Sequence, residues 1–207
     1  MAALRMDRLA MAVHAGCRET CNGKWLRHAL EILEQNCINI KEFSDALLKA
    51  LNFGRGKGNN IFLIGPKDCG KSFLLEPLED LFECFINPTR GKYAWLSLEG
   101  KEVILLNDFR YSADLLEWND LLLLLQGAPV SFSRPRNVFA SDFLLGMDVD
   151  LPIFATGQKR IVHEDRRETE MMNCRWHYFV FTQLRTDDGT QPCTCCFAKL
   201  LLSSTGA

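Results

Sequence analysis

Two stripes of apolar residues dominate the first quarter of the chain. Trp25, Leu26, Ala29, Leu30 and Leu33 recur at three- and four-residue intervals, as do Phe43, Ala46, Leu47, Ala50 and Leu51, so each set falls on one helical face. The spacing predicts two amphipathic helices across residues 24–52. A Gly-rich, basic stretch, FGRGKGNN, ends that period, and the apolar run IFLI at 61–64 reads as a buried strand. Beyond it the signals alternate. A helix is expected from about 70, strands over 93–98 (YAWLSL) and 102–106 (EVILL), a helix over 112–125, and strands over 152–156 (PIFAT) and 177–182 (HYFVFT). Buried strands separated by helices imply an α/β fold with a largely parallel central sheet flanked by helices, plus a small N-terminal helical subdomain. In VSFSRPRNVFAS, short alternating runs flank Arg134, Pro135, Arg136 and Asn137, which reads as a hairpin with a basic tip. After Arg185 the periodicity fades. The expected division is a helical segment over 1–57, the α/β domain over 58–185 and a loose Cys-containing tail over 186–207.

Composition narrows the classes. With 47% hydrophobic and 24% charged residues, the 207-residue chain can bury one core and is not disordered. No purely apolar run exceeds five residues, so no membrane span is expected. Arg5, Asp7 and Arg8 interrupt the apolar core that an export signal would need. A net charge of −2 excludes binding of nucleic acid by bulk charge, and the acidity is concentrated in residues 61–126, with eleven Asp/Glu against six Lys/Arg. Nine cysteines, with Cys193, Cys195 and Cys196 crowded together, lack a repeated zinc-ribbon spacing. Reduced thiols in an intracellular protein are the default, and a metal reading would have to join Cys17 and Cys21 to the tail cysteines. Histidines 14, 28, 163 and 177 show no ligand spacing.

The sharpest motif is Gly65-Pro66-Lys67-Asp68-Cys69-Gly70-Lys71-Ser72, a full match to G-x-x-x-x-G-K-[ST] placed where a strand meets a helix. Glycines let the backbone curl until successive amides face the phosphate oxygens of a nucleotide. In this pattern Lys71 bridges the β- and γ-phosphates of ATP and the Ser72 hydroxyl joins the Mg²⁺ shell. Pro77, about two turns on, should kink or shorten the helix. The strand EVILL runs into Asn107 and Asp108, where a P-loop enzyme needs a carboxylate for magnesium and the attacking water.

Taken in order, GPKDCGKS, ILLNDF, LQGAPVSFSRPRN, LPIFATGQ and NCRWHYFVF resemble the superfamily 3 helicase domain of parvovirus non-structural (Rep) proteins and of the papillomavirus replication helicase, over residues 51–184. The resemblance implies an AAA+-like P-loop NTPase, an ATP-hydrolysing DNA helicase or replication motor that assembles into a ring, in the family a hexamer, around single-stranded DNA. It puts Arg134 and Arg136 on the DNA-contacting hairpin, with Pro135 where the family often has a basic residue. Gln158 takes the place of the polar sensor of the γ-phosphate, with Thr156 as fallback, and Arg175 resembles the arginine that reaches a neighbouring subunit's nucleotide. Residues 1–57 match the family's oligomerisation collar. Asn107 and Asp108 stand where the family commonly carries two acids, so Asp108 alone would serve magnesium and water. The alternative expectation is therefore a catalytically weakened or inactive nucleotide-binding assembly module descended from such a helicase. Nuclear residence would suit replication, though no compact Lys/Arg cluster marks it. A GTPase would need an Asn/Thr-Lys-x-Asp motif, which is absent. A small-molecule kinase using Arg160, Arg166 and Arg167 as a lid leaves the hairpin segment without a purpose.

Overall fold

A computed structural model of the chain describes residues 2–88, 93–132, 143–145, 150–185 and 189–203. Three helices come first: α1 (Ala2–Ala15), α2 (Lys24–Gln35) and α3 (Ile40–Phe53). They are followed by β1 (Asn60–Ile64), α4 (Lys71–Leu75), α5 (Pro77–Leu81), β2 (Cys84–Ile86), a 3-10 turn (Leu96–Leu98) and β3 (Val103–Leu106). The second half holds α6 (Trp118–Gln126), β4 (Val130–Phe132), β5 (Phe143–Leu145), β6 (Ile153–Gly157), α7 (Arg166–Asn173), β7 (Trp176–Val180) and α8 (Thr194–Leu202).

Five strands form one sheet in the order β2-β3-β6-β1-β7, every pairing parallel. The register aligns Ile64 with Gly157 on one side and with Val180 on the other. Side chains alternate across the strands, so each strand feeds two cores. Ile61, Leu63, Val103, Leu105, Phe154 and Phe179 face a core shared with α1, α2, α3 and α8. Phe62, Ile64, Ile104, Leu106, Ile153 and Ala155 face a second core closed by α6, β4 and Met172 of α7. The result is a three-layer α/β sandwich of the class that the sequence implied.

The turn at Gly58 does not separate two cores, because α3 continues the same apolar cluster as β1. Within that turn Arg55 is buried and donates to the carbonyls of Leu124 and Ala128, at 3.2 and 2.7 Å, beside the C-terminus of α6. Burial alone pulls its guanidinium down to about 10. Arg5 of α1, fully buried, donates to the Leu51 carbonyl at 2.7 Å and pairs with Asp150 at 3.0 Å, tying the first helix to the approach to β6.

Three expectations need correction. Residues 93–98 form turns rather than a strand; Trp95 anchors them by stacking on Phe85 and Phe132 and donating to the Leu115 carbonyl at 2.8 Å, while the short β2 takes the sheet edge. The helix expected from 112 begins at Trp118, since Ser112 spends its side chain on a local turn with the Asp114 amide. The tail expected to be loose contains α8, packed against α1, α2, α3 and α5 with Cys195, Cys196, Phe197, Ala198, Leu200 and Leu201 all buried. A helix enclosed on so many sides carries no polar stripe to betray its period. Pro77 does interrupt the helix: α4 ends at Leu75 and Pro77 opens α5.

Candidate nucleotide site

In a parallel sheet the loops at the carboxyl ends of the strands converge, and the motif residues lie on them. The loop from Gly65 to Gly70 joins β1 to α4. Gly65 has φ +157°, and a Cβ there would sit 2.2 Å from the Phe181 carbonyl oxygen, so only glycine passes that crossing. Gly70 sits at φ +87° as the N-cap of α4, and Asp68 is also left-handed at φ 57°. The loop is thus wound tightly back on itself.

Lys71 is buried, and its Nζ donates to the carbonyls of Gly65, at 3.0 Å, and Pro66, and lies 3.1 Å from Cys69 Sγ. Among the described residues no carboxylate pairs with it. A buried ammonium satisfied only by neutral groups is a standing demand for an anion. It lies at a cavity of about 440 Å³ lined by Asp68, Cys69, Gly70, Lys71, Ser72, Phe73 and Arg185. Pro66 and Lys67 complete the turn of the loop. These residues fit a nucleotide's phosphates, and Ser72, exposed on the cavity wall, fits a magnesium ligand.

Strand β6 lies between β1 and β3 and couples the two loops. The Gly65 amide donates to the Gly157 carbonyl at 3.0 Å. On its other edge, Thr156 Oγ1 accepts from the Asp108 amide at 2.9 Å, and the Thr156 carbonyl accepts from the Phe109 amide at 2.7 Å. Two strand spacings separate the loops, roughly 10 Å. A carboxylate reaching in from Asp108 and a hydroxyl reaching from Ser72 could bracket an ion across that gap. Asp108 sits at φ 48°, its side chain 57% exposed and paired with Arg110 at 3.2 Å. The Asn107 carbonyl accepts from Asn87 Nδ2 at 3.0 Å, which pins the strand end to the β2 loop. Gln158 is exposed and lines a separate cavity of about 380 Å³ with Phe109, Arg110, Tyr111 and Arg160. Thr156 is therefore the polar residue of β6 that touches the Asp108 loop directly.

Arg175 is placed elsewhere. It precedes β7, at the amino-terminal edge of the sheet, and its guanidinium donates to the Leu122 carbonyl at 3.0 Å, the Met171 carbonyl at 2.6 Å and Gln126 Oε1 at 2.7 Å. In this structure it holds α6 and α7 together and does not meet the phosphate loop. Arg134 and Arg136 lie outside the described residues; the strands on either side of that segment pair antiparallel, Phe132 against Phe143 and Val130 against Leu145.

One residue escaped the sequence reading. Arg185 follows β7, stacks its guanidinium on the Phe73 ring at 3.8 Å and lines the phosphate-loop cavity, while its amide donates to the Asp68 carbonyl at 2.6 Å. The signal available was position alone: a cation just past the carboxyl end of the last parallel strand.

No protein-family model matches the chain, and no curated protein matches it in sequence. Among solved structures, the X-ray structure of the JCV helicase superposes with a TM-score of 0.58 at 14% identity, over 87% of this chain and 52% of that one. The chain is similar in fold to a helicase. It spans about half the length of that neighbour. The C-terminal region of NrS-1 also matches, with a TM-score of 0.44 at 14% identity over 85% of this chain and 43% of that one. Among the described residues no helix is long and apolar enough to cross a membrane.

Proposed function

We propose that the chain is an ATP-binding, ATP-hydrolysing motor domain of the superfamily 3 helicase type, acting on single-stranded DNA as a ring of identical subunits. The observation that carries the reading is the buried Lys71 ammonium, held by neutral acceptors at the mouth of the phosphate-loop cavity, with Asp108 linked to that loop through β6. Lys71 and the amides of residues 65–72 would hold the phosphates of ATP, and Ser72 and Asp108 the Mg²⁺, which supplies charge neutralisation of the leaving phosphate. Thr156 fixes the backbone of Asp108 and thereby the direction of its carboxylate. Arg185 adds a second cation to the same wall. Arg134 and Arg136, in the segment between β4 and β5, would be the DNA contacts, and the sensor would be Gln158, one residue beyond β6, or Thr156, which touches the Asp108 loop. The JCV helicase similarity supports the architecture.

A second reading has its own observation. Asp108 is already paired with Arg110, its neighbour Asn107 is not an acid, and Arg175 is committed within its own chain. Each of these weakens turnover more than binding, as in a nucleotide-binding assembly module. The test is ATP hydrolysis with and without single-stranded DNA, beside equilibrium ATP binding. DNA-stimulated turnover supports the motor; binding without turnover supports the module. Asn107→Asp then raises hydrolysis if the missing acid is the defect, and leaves it unchanged if the Asp108–Arg110 pair is.

A further inference from the structure

The fold brings four of the nine free cysteines to one point, although 171 residues of chain separate the two pairs in sequence. Cys17 and Cys21 come from the turn between α1 and α2, and Cys193 and Cys196 from the first turn of α8. Their sulfurs all lie within 4.8 Å of one another. Cys17 Sγ is 3.4 Å from both Cys193 Sγ and Cys196 Sγ, and Cys21 Sγ is 3.6 Å from Cys196 Sγ.

These separations match one coordination polyhedron. Four thiolates around a tetrahedral zinc at a bond length of about 2.3 Å have sulfur–sulfur edges of about 3.8 Å. A disulfide would need about 2.05 Å and could join the sulfurs only in pairs, whereas Cys17 approaches two partners equally. The backbone is arranged for the same end. Cys193 is the N-cap of α8 and Cys196 lies three residues on, so both face one side of the helix. In the other loop, Asn22 and Gly23 adopt left-handed conformations, φ 40° and 78°, which turns the Gly23 amide onto Cys17 Sγ at 3.4 Å. An amide donating to a ligand sulfur is the outer-shell support that thiolate metal sites use. Cys193 and Cys196 are buried, and Cys17 and Cys21 half-buried, so the cluster is closed by protein without being sealed from entry.

We infer that Cys17, Cys21, Cys193 and Cys196 form a structural zinc site that clamps the α1–α2 turn to the start of α8. Four neutral thiols bind one Zn²⁺ and release four protons, leaving a tetrathiolate with a net charge of −2; no electron is transferred. A d¹⁰ ion with no ligand-field preference suits an all-sulfur tetrahedron, and the absence of an open position makes the role structural. The clamp closes nearly the whole chain into a loop, and it bears on α4 through an aromatic run: Phe197, next to Cys196, packs on Trp25 at 6.0 Å, and Trp25 stacks on Phe73 at 5.3 Å. The inference stands apart from the nucleotide reading and uses none of its residues as ligands.

The test is elemental analysis of the full chain purified under reducing conditions, followed by replacement with Co²⁺. Stoichiometric zinc is expected, with the cobalt form showing sulfur-to-metal charge transfer and the intense visible bands of a tetrahedral site. Cys17→Ser and Cys193→Ser should each drop retained zinc by about tenfold or more, while Cys37→Ser with Cys174→Ser, both exposed and outside the cluster, should retain it. Should the serine variants fail to fold, Cys21→His supplies a check, since it keeps a ligand and should bind cobalt with a spectrum shifted toward fewer thiolates. No metal bound by the reduced wild-type chain, an octahedral cobalt spectrum, or zinc retained undiminished in folded Cys17→Ser would each overturn the site.

Discussion

Gly65 is fixed as glycine by a backbone crossing: the Phe181 carbonyl would meet its Cβ at 2.2 Å. The same residue donates its amide to Gly157. Gly65→Ala should therefore cost about 1–3 kcal/mol by forcing β1 away from β7, read as a drop of several degrees in Tm even without nucleotide; an unchanged Tm would show that the loop relaxes freely. Arg185 bears on function instead. If its guanidinium meets a phosphate from the Phe73 side of the cavity, Arg185→Ala should weaken ATP binding about tenfold, the size of one charge-assisted hydrogen bond; unchanged affinity in a binding titration would remove it from the site. At this scale the motif residues were legible because G-x-x-x-x-G-K-[ST] is local. Arg185 was not, because it joins the site through the sheet order, and a single cation after a strand has no pattern of its own.

Among elements, β6 does the joining. Its apolar run predicted a buried strand, and the structure places it between β1 and β3, where Thr156 and Gly157 contact the two functional loops at once. Sequence could supply the strand but not its neighbours. Strand and helix signals worked where one face is dry and the other wet, as in α2 and α3, and failed for α8, buried nearly all round, and for 93–98, where an aromatic anchor outweighs strand propensity. Arg175 shows what sequence leaves out: the resemblance implies reach toward another subunit, and within this chain its guanidinium also donates to three acceptors on α6 and α7. Arg175→Ala should destabilise the isolated chain by about 2 kcal/mol through the loss of charged hydrogen bonds. A variant with unaltered Tm but abolished turnover would instead support the inter-subunit role.

For the whole molecule, the two faces of the sheet carry different duties. One is covered by α1, α2, α3 and α8, which tie the ends of the chain together around Arg5 and the cysteine cluster. The other is covered by α6, α7 and the antiparallel pair of β4 and β5. The phosphate loop and the Asp108 loop open at the carboxyl edge between these layers.

The central claim is that this edge binds and hydrolyses ATP in service of DNA. Steady-state ATP hydrolysis by the full chain, wild type beside Lys71→Ala, with and without single-stranded DNA, tests it most directly. The account predicts turnover that single-stranded DNA stimulates and that Lys71→Ala lowers roughly a hundredfold or more, the loss expected when a principal stabiliser of transition-state charge is removed. Hydrolysis indifferent to both DNA and Lys71 would contradict it.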